Sequence, residues 1–443
     1  MTFEDFTDLA KLRLDMIYAI EVKDNGDPGL AYGAHLMPAA GERAVWKTID
    51  PTPTYRIDIP FDKFISDLEE DITGSQAALS AGANEDRAIL VAVVPSLSED
   101  AKIALSEFKA LASAAGITVM DTVVQKRPKP DPKYVVGKGK VMDIYVKALA
   151  VDANLLIFDH ELSPSQARSI SDIVDIRVID RTQLILDIFA QRARTREGKI
   201  QVELAQLRYY MPRLVGRNPS LSRLAGGIGT RGPGESKLEI DRRKAKNRMT
   251  RLEKEAAAIG RKRKLTRLRR SRGEVPVISI IGYTNTGKST LLNTLTKSKV
   301  LTADMPFATL DPSSKRLRFP RDIEVIITDT VGFIRDLPGD LRAAFMATLE
   351  ELEDAHLLLE VIDLADPDME YRMKAVDDIL KALNVDTKPR LKVFNKADKC
   401  DPDFAEANAL RYGGVAVSAL DRSTLPPLIE KMEGFFLNSP SRG

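Results

Sequence analysis

Residues 276–295, PVISIIGYTNTGKSTLLNTL, restrict the fold more than any other part of the 443-residue chain. VISII is a short, almost wholly apolar run, suited to a strand buried on both faces. Positions 282–289 then read G-x-x-x-x-G-K-S, and LLNTL continues with helical spacing. Strand, glycine-rich turn and helix in that order make a phosphate-binding loop, which needs an open, mainly parallel α/β sheet around it. The backbone of Gly282, Tyr283, Thr284, Asn285, Thr286 and Gly287, with the helix start at Lys288, Ser289 and Thr290, is placed to cradle phosphates. Lys288 would reach the β- and γ-phosphates, and the Ser289 hydroxyl would hold Mg²⁺.

That loop alone does not separate kinases, ATPases and GTPases, and the next pieces do. VIITDTVGF gives a strand ending at Asp329, with Gly332 where a γ-phosphate-sensing N–H belongs. LKVFNKAD gives a second buried strand followed by Asn395, Lys396 and Asp398. A carboxylate at Asp398 accepts both N1–H and the exocyclic amine of guanine, an arrangement adenine does not offer. The motif therefore selects GTP by leaving a charge unpaired in the wrong complex. Ser418, Ala419 and Leu420 follow VAV and fit the last base-binding turn. Thr309, in MPFATLDP, is the candidate for the switch threonine that closes on Mg²⁺ and the γ-phosphate, with Thr302 as its alternative.

The remaining chain divides by pattern. Residues 1–86 carry short strand-like pieces among Pro and Gly, with SQAALSAGANED resembling a linker, and read as an N-terminal extension of unknown role. Residues 87–180 alternate continuous apolar strands (AILVAVVP, ITVMDTVVQ, NLLIFD, IRVID) with amphipathic helices, which predicts a parallel α/β domain covered on both faces. Residues 181–273 predict two long helices in an antiparallel hairpin. The first is capped by Asp180 and Gln183 and stopped near Met211 by Pro212; the second starts at Ser236. In the second helix Leu238, Ala245, Met249, Leu252, Ala256 and Ile259 form one stripe for a partner helix. Residues 274–443 form the nucleotide domain. GKGK at 137–140 lacks a following Ser or Thr and reads as a helix start with solvated lysines.

Net charge concentrates in the hairpin. Between Arg181 and Arg272 there are 26 Lys and Arg against 8 Asp and Glu, a local charge of +18 in a chain of net +2. Such a segment is suited to a polyanion. Arg261, Lys262, Arg263 and Lys264 are candidates for RNA phosphates. Between the helices, residues 213–235 hold six glycines and four arginines. Gly227, Gly229 and Gly232 spell G-x-G-x-x-G, but no strand precedes them, so the dinucleotide reading lacks its context. A Gly-rich tip bearing Arg223, Gly226 and Arg231 suits close approach to a folded RNA. A plain charged linker is the other reading of the same composition.

The order GYTNTGKST, FATLDP, DTVGF, NKAD and SAL, behind GGIGTRGPGESKLEIDRR, resembles the HflX family of translational GTPases over about residues 87–440. The resemblance implies a multidomain α/β protein: a parallel α/β N-domain, a helical hairpin and a P-loop G domain. It also implies Mg²⁺-dependent GTP hydrolysis, binding to the 50S subunit and its 23S rRNA, and splitting of stalled or idle ribosomes. A ribosome-assembly GTPase acting on immature 50S particles is one alternative. An ATP-using RNA-remodelling protein with a regulatory G domain is another. Phe333 stands where Ras-type enzymes carry a water-orienting Gln. Either it packs while another group positions water, or catalysis awaits a partner. Asn285 could hold K⁺ beside the phosphates or bond only within its loop.

One cysteine, Cys400, leaves no intramolecular disulfide, and the N-terminus has no signal-peptide core. No apolar run approaches the ~18 residues of a membrane span. The three histidines form no ligand spacing. A cytoplasmic monomer binding GTP and GDP is the expectation.

Overall fold

The computed structural model describes the chain except residues 3–4, 7, 10–11, 13, 38–45, 80–85, 215–236, 272–274, 297–312, 331, 335–351 and 439–443. The candidates Thr302, Thr309, Arg223, Gly226, Gly227, Gly229, Arg231 and Gly232 lie outside the described residues. The chain forms two compact units, Met1–Leu184 and Ile185–Gly443.

The first unit holds two sheets. Strands β1 (Met16–Val22), β2 (Pro28–Leu36) and β3 (Trp46–Pro53) form an antiparallel sheet in that order. Helix α1 (Phe61–Leu79) follows, so SQAAL closes a helix and is no linker. The β1–β2 turn carries Asn25-Gly26, with Lys23 N–H bonded to Asp27 O at 2.9 Å. Asn-Gly between two apolar runs is a strong hairpin signal, and it makes the start of the chain a folded element.

Strands β4 (Arg87–Val94), β5 (Thr118–Lys126), β6 (Leu155–Phe158) and β7 (Arg177–Asp180) form a parallel sheet in the order β5-β4-β6-β7. Helices α2 (Glu99–Ala114), α3 (Lys138–Ala150) and α4 (Pro164–Ser171) connect them. Residues 88–93 of β4 are all buried, the two-sided burial that an unbroken apolar strand predicts. Ser98 caps α2, Ser163 and Gln166 close a capping box on α4, and α3 begins after Gly137.

The first long helix is broken. Helix α5 (Arg181–Arg192) ends, and α6 (Arg196–Leu214) starts afresh behind Thr195, whose hydroxyl accepts the Gly198 N–H at 3.0 Å. A threonine N-cap outweighs the continuous apolar pattern here. Pro212 lies inside α6, in its last turn; it withholds one backbone donor, and the helix ends two residues later at Leu214. Helix α7 (Lys237–Ser271) packs on α6 through Ile200, Leu204 and Leu252, with Met249, Ala256 and Ile259 alongside. The pairs Arg196–Glu255 and Arg248–Glu203, at 3.1 and 2.6 Å, run in opposite chain directions. The hairpin is therefore antiparallel.

The last sheet has the order β13-β12-β11-β8-β10-β9, with β8 (Val277–Ile281), β9 (Ser313–Arg318), β10 (Glu324–Asp329), β11 (Leu357–Asp363), β12 (Arg390–Asn395) and β13 (Val415–Ala416). All neighbours are parallel except β9 with β10. Helices α8 (Lys288–Thr296), α9 (Met369–Ala382), α10 (Pro402–Arg411) and α11 (Pro426–Asn438) belong to the same unit. Ile278, Ile280, Val325, Ile327, Leu359 and Val393 fill its core. The winding reverses between β8 and β11, and a crevice at the carboxyl ends of such strands is where open α/β sheets bind ligands.

Candidate nucleotide site

Strand β8 delivers the chain into that crevice at Gly282. There φ is +144° and an added Cβ would meet Val361 O at 2.3 Å, so only glycine fits. Gly287 repeats the constraint at the helix start: φ is +89°, and a Cβ would meet Asn395 Nδ2 at 2.3 Å. Asn285, exposed at the loop apex, takes the left-handed conformation at φ 63° without being glycine. Asn, with its short polar side chain, tolerates that region better than most residues.

Lys288 opens α8 and is buried, 7% exposed. Its ammonium donates to Gly282 O at 3.1 Å and Tyr283 O at 2.6 Å. Burial pulls its pKa from 10.5 to about 8, with the nearby Asp329 carboxylate opposing the shift. A desolvated cation held by carbonyls, facing a loop of backbone donors, is a site for a polyanion. Ser289 donates to Asp329 Oδ2 at 2.6 Å, and Asp329 is fully buried at the end of β10. A hydroxyl and a carboxylate side by side are hard oxygen donors that suit Mg²⁺, which takes one or two protein ligands and fills its shell with water and phosphate. Among the described residues there is no cluster of three or more His, Cys, Asp or Glu for any other metal.

The segment after β10 lies directly on the loop. Thr284 N–H donates to Phe333 O at 2.9 Å, and Phe333 N–H donates to Gly282 O at 3.0 Å. Phe333 is 2% exposed, so its ring packs inside the protein. A Cβ on Gly332 would sit 3.0 Å from Thr284 Cα and 3.1 Å from Lys288 Nζ. Gly332 and Lys288 thus face one another across the loop.

Asn395 joins the phosphate end to the base end. Its Nδ2 donates to Thr286 O at 2.8 Å, and its Oδ1 accepts the Ala419 N–H at 2.8 Å. Lys396 follows in the left-handed region, and Asp398 stands exposed in the turn Ala397–Lys399. The turn at Ser418, Ala419 and Leu420 is pinned by Thr424, whose Oγ1 accepts the Ser418 N–H at 3.0 Å, and by Thr294, which donates to Ala419 O at 2.6 Å. Leu420 is 78% exposed. The loop of residues 282–289, Asp329, Gly332, Asn395 and Ala419 are therefore linked to one another, with Lys396 and Asp398 in the turn that follows β12. Thr294, Thr424 and Asp363, which pairs with Lys396 at 2.7 Å, belong to the same framework but not to the motifs. Asp363 could have been found as the acid ending a buried strand beside the reversal of winding.

The RNA candidates fall elsewhere. Arg261 is exposed on α7, and 262–264 continue that helix. Arg242, Arg243, Lys244, Lys246, Arg251 and Lys254 are also exposed along it. No helix among the described residues is long and apolar enough to cross a membrane.

Three family models match the chain. They are described as GTP-binding GTPase N-terminal over residues 102–190, GTP-binding GTPase Middle Region over 192–270, and 50S ribosome-binding GTPase over 277–396. The "GTPase HflX" of Caldanaerobacter subterraneus subsp. tengcongensis is 45% identical over 350 residues, covering 79% of this chain and 80% of that protein. The "GTPase HflX" of Escherichia coli (strain K12) is 48% identical over 300 residues, covering 68% and 70%. A GTP-binding protein from the archaeon Sulfolobus solfataricus, crystallised with GDP, covers 78% of this chain and 98% of its own at 24% identity and a TM-score of 0.41.

Proposed function

Because the chain belongs to the HflX family of GTPases, and so hydrolyses GTP, we propose that it does this as a factor on the large (50S) ribosomal subunit, splitting stalled or idle ribosomes. The observation that carries the reading is the basic hairpin of α6 and α7, built into the same unit as the nucleotide crevice. Its core is narrow, its outer face carries a row of lysines and arginines, and the Gly-rich segment joins its helices. Such an arm suits rRNA phosphates. We place Arg223, Gly226, Gly227, Gly229, Arg231 and Gly232 at the RNA-facing tip, and Arg261, Lys262, Arg263 and Lys264 on the backbone-binding stem.

In the crevice the loop N–H groups and Lys288 hold the phosphates, and Lys288 offsets charge that develops on the leaving oxygens. Ser289, with Thr309 from the switch segment, would ligate Mg²⁺, which supplies further neutralisation of the phosphate oxygens. Gly332 N–H senses the γ-phosphate. Asn395, Lys396 and Asp398, with the Ser418–Leu420 turn, hold guanine. Phe333 is packed and offers no hydrogen bond to water, so turnover by the protein alone is slow and rises when 50S subunits dock. Asn285, at the exposed apex, is the ligand for K⁺ if the faster rate in K⁺ over Na⁺ is observed; equal rates assign it to loop bonding.

The test is co-sedimentation with 30S, 50S and 70S particles under GDP and a non-hydrolysable GTP analogue, together with 70S light scattering. The expected result is 50S binding favoured by the analogue and a GTP-dependent fall in 70S scattering. Deleting residues 226–234 should abolish splitting while GTP binding persists. Replacing the four stem cations should weaken 50S binding and flatten its salt dependence. A loop deletion that splits 70S particles at the normal rate makes the tip a linker and removes its proposed contact. Asp398→Asn should shift preference from GTP toward XTP in competition titration, and an unchanged preference takes Asp398 out of the base-reading role.

A further inference from the structure

We infer that Asp363 is a positioning residue for nucleotide binding: it anchors the Lys396 ammonium so that the lysine stem forms a fixed wall of the base site. The inference rests on assigning Lys396 to that site, and the experiment below separates the two.

Sheet register creates the pairing. Asp363 ends β11 directly opposite Asn395, the last residue of β12. The next residue, Lys396, turns into the left-handed region at φ 63° and ψ 31°, a conformation that disfavours any residue with a Cβ. Its ammonium then lies 2.7 Å from Asp363 Oδ2, with the two side chains only 19% and 16% exposed. This is a half-buried, charge-assisted contact at the carboxyl ends of adjacent strands, where the crevice opens.

The carboxylate is fixed before it meets the lysine. Its Oδ1 accepts the Ala365 N–H at 3.1 Å, and Leu364 N–H donates to Asn395 O at 2.9 Å. Three residues on, Asp366 accepts the Asp368 N–H at 3.0 Å and pairs with Arg372 Nε at 2.8 Å. The Arg372 guanidinium in turn lies 5.3 Å from the ring centroid of the buried Tyr283, in the phosphate loop. The link between β11 and α9 therefore meets the base-end lysine through Asp363 and the phosphate loop through Arg372.

The physical consequence concerns the stem. An unanchored lysine samples many rotamers, and a planar base laid against it must freeze them on binding. With the ammonium tied to Asp363, the rotamers of the stem are already restricted, and its methylenes offer an apolar surface with the charge held at its far end. Asp363 touches no nucleotide atom in this scheme; it acts by removing an ordering cost from the binding step. Base discrimination, assigned to Asp398, is not affected.

The experiment uses the full-length chain, fluorescent GDP titrations, dissociation rates and saturating GTP turnover. Asp363→Asn keeps the shape and the acceptor for Ala365 but removes the charge. It should raise the GDP dissociation constant about tenfold, one decade for a lost charge-assisted contact. It should leave kcat at saturating GTP within about twofold, the split expected of a group that acts on binding alone. Lys396→Met, which keeps the stem and loses the anchor, should match its loss of GDP affinity without relying on the fold of the Asp363 variant. The double variant should be no weaker than either single one, Asp363→Glu should recover most of the affinity, and the GDP to XDP ratio should not move. Multiplying effects in the double variant, or a fall in kcat at unchanged affinity, overturns the proposal. Lys396→Met weakening GDP while Asp363→Asn does not overturns it alone. Full affinity in Lys396→Met and Lys396→Ala together removes Lys396 from the base site and the proposal with it.

Discussion

The parallel sheet of the first unit and the sheet of the second both reverse their winding beside their first strand, at β4 and at β8. Their carboxyl ends are finished differently. In the first unit Arg181, following β7, is held between Glu107 at 2.9 Å and Asp159 at 2.8 Å, and all three side chains are largely buried. One cation meets two carboxylates, and the cluster is electrostatically closed. In the second unit Lys288 is held by two backbone carbonyls, and burial leaves its charge destabilised. The same topology thus ends once in a cation already matched by two carboxylates and once in a cation poised for an anion. Topology supplies a crevice, and the local charge balance decides whether it suits a polyphosphate.

Exchanging each cation for alanine tests this most severely. Lys288→Ala should lower kcat/KM for GTP by at least about a hundredfold, the scale of removing one donor to developing phosphoryl charge. Arg181→Ala should leave kcat/KM of the folded protein within about twofold, because its charge is spent on two carboxylates of the first unit rather than on a phosphate. It should instead destabilise the first unit by about 3–5 kcal/mol, since two largely buried carboxylates are left without their partner. Steady-state kinetics and denaturant unfolding read the two effects. A hundredfold kinetic loss in Arg181→Ala would break the comparison.

Glycines sharpen it at the next scale. Gly287 and Gly137 have similar φ, +89° and +92°, and each precedes a helix. An alanine Cβ at 287 would collide with Asn395 Nδ2 at 2.3 Å, whereas at 137 its nearest neighbour is Arg127 Nη1 at 3.5 Å. Both substitutions carry backbone strain of about 1–3 kcal/mol. Only Gly287→Ala also displaces the Asn395 bond to Thr286 O, so only it should weaken GDP by more than about tenfold. Titration calorimetry with GDP on both variants checks this.

How much of this contrast the sequence already carries follows from chain distance. The phosphate loop is legible because its strand, glycines, lysine and serine are consecutive, and each residue type answers a local backbone demand. Asn395, Lys396 and Asp398 are legible for the same reason. The bond between Asp363 and Lys396 spans two strands, and although the sequence marks Asp363 as the acid ending a buried strand, nothing local to it names the cation it meets. The break at 193–195 was hidden because LILDIFA and IQVELAQL continue one apolar pattern across it, with Thr195 as the sole signal. The first 86 residues are hard to read because β1 and β3 hold no fully buried residue, so their alternation is weak, and the Asn25-Gly26 turn is the cue to follow. Arg181 reads as one cation among 26 in a basic stretch; only folding brings it to Glu107 and Asp159.

The smallest expected effect is a pH dependence confined to the second unit. The Lys288 pKa is lowered on folding, from 10.5 to about 8. Between those values the unfolded chain binds more protons than the folded one, so stability rises with pH across that window. The penalty is fully present below pH 8 and relieved toward 10.5. Phosphate binding has the opposite sign, because the anion needs the charged lysine. The charged fraction of the free protein falls as pH passes 8, and the apparent dissociation constant for GDP grows by the reciprocal of that fraction. From pH 7 to 8.5 the growth should be about fourfold by this population arithmetic, with proton uptake on binding near pH 8 seen as a buffer-dependent enthalpy. Arg181 offers no counterpart, since a guanidinium stays charged throughout. Second-unit stability that rises while GDP affinity falls over this range assigns both to Lys288. Lys288→Arg should remove the pH dependence of GDP affinity, and a fourfold change surviving in that variant would move the titration to another group.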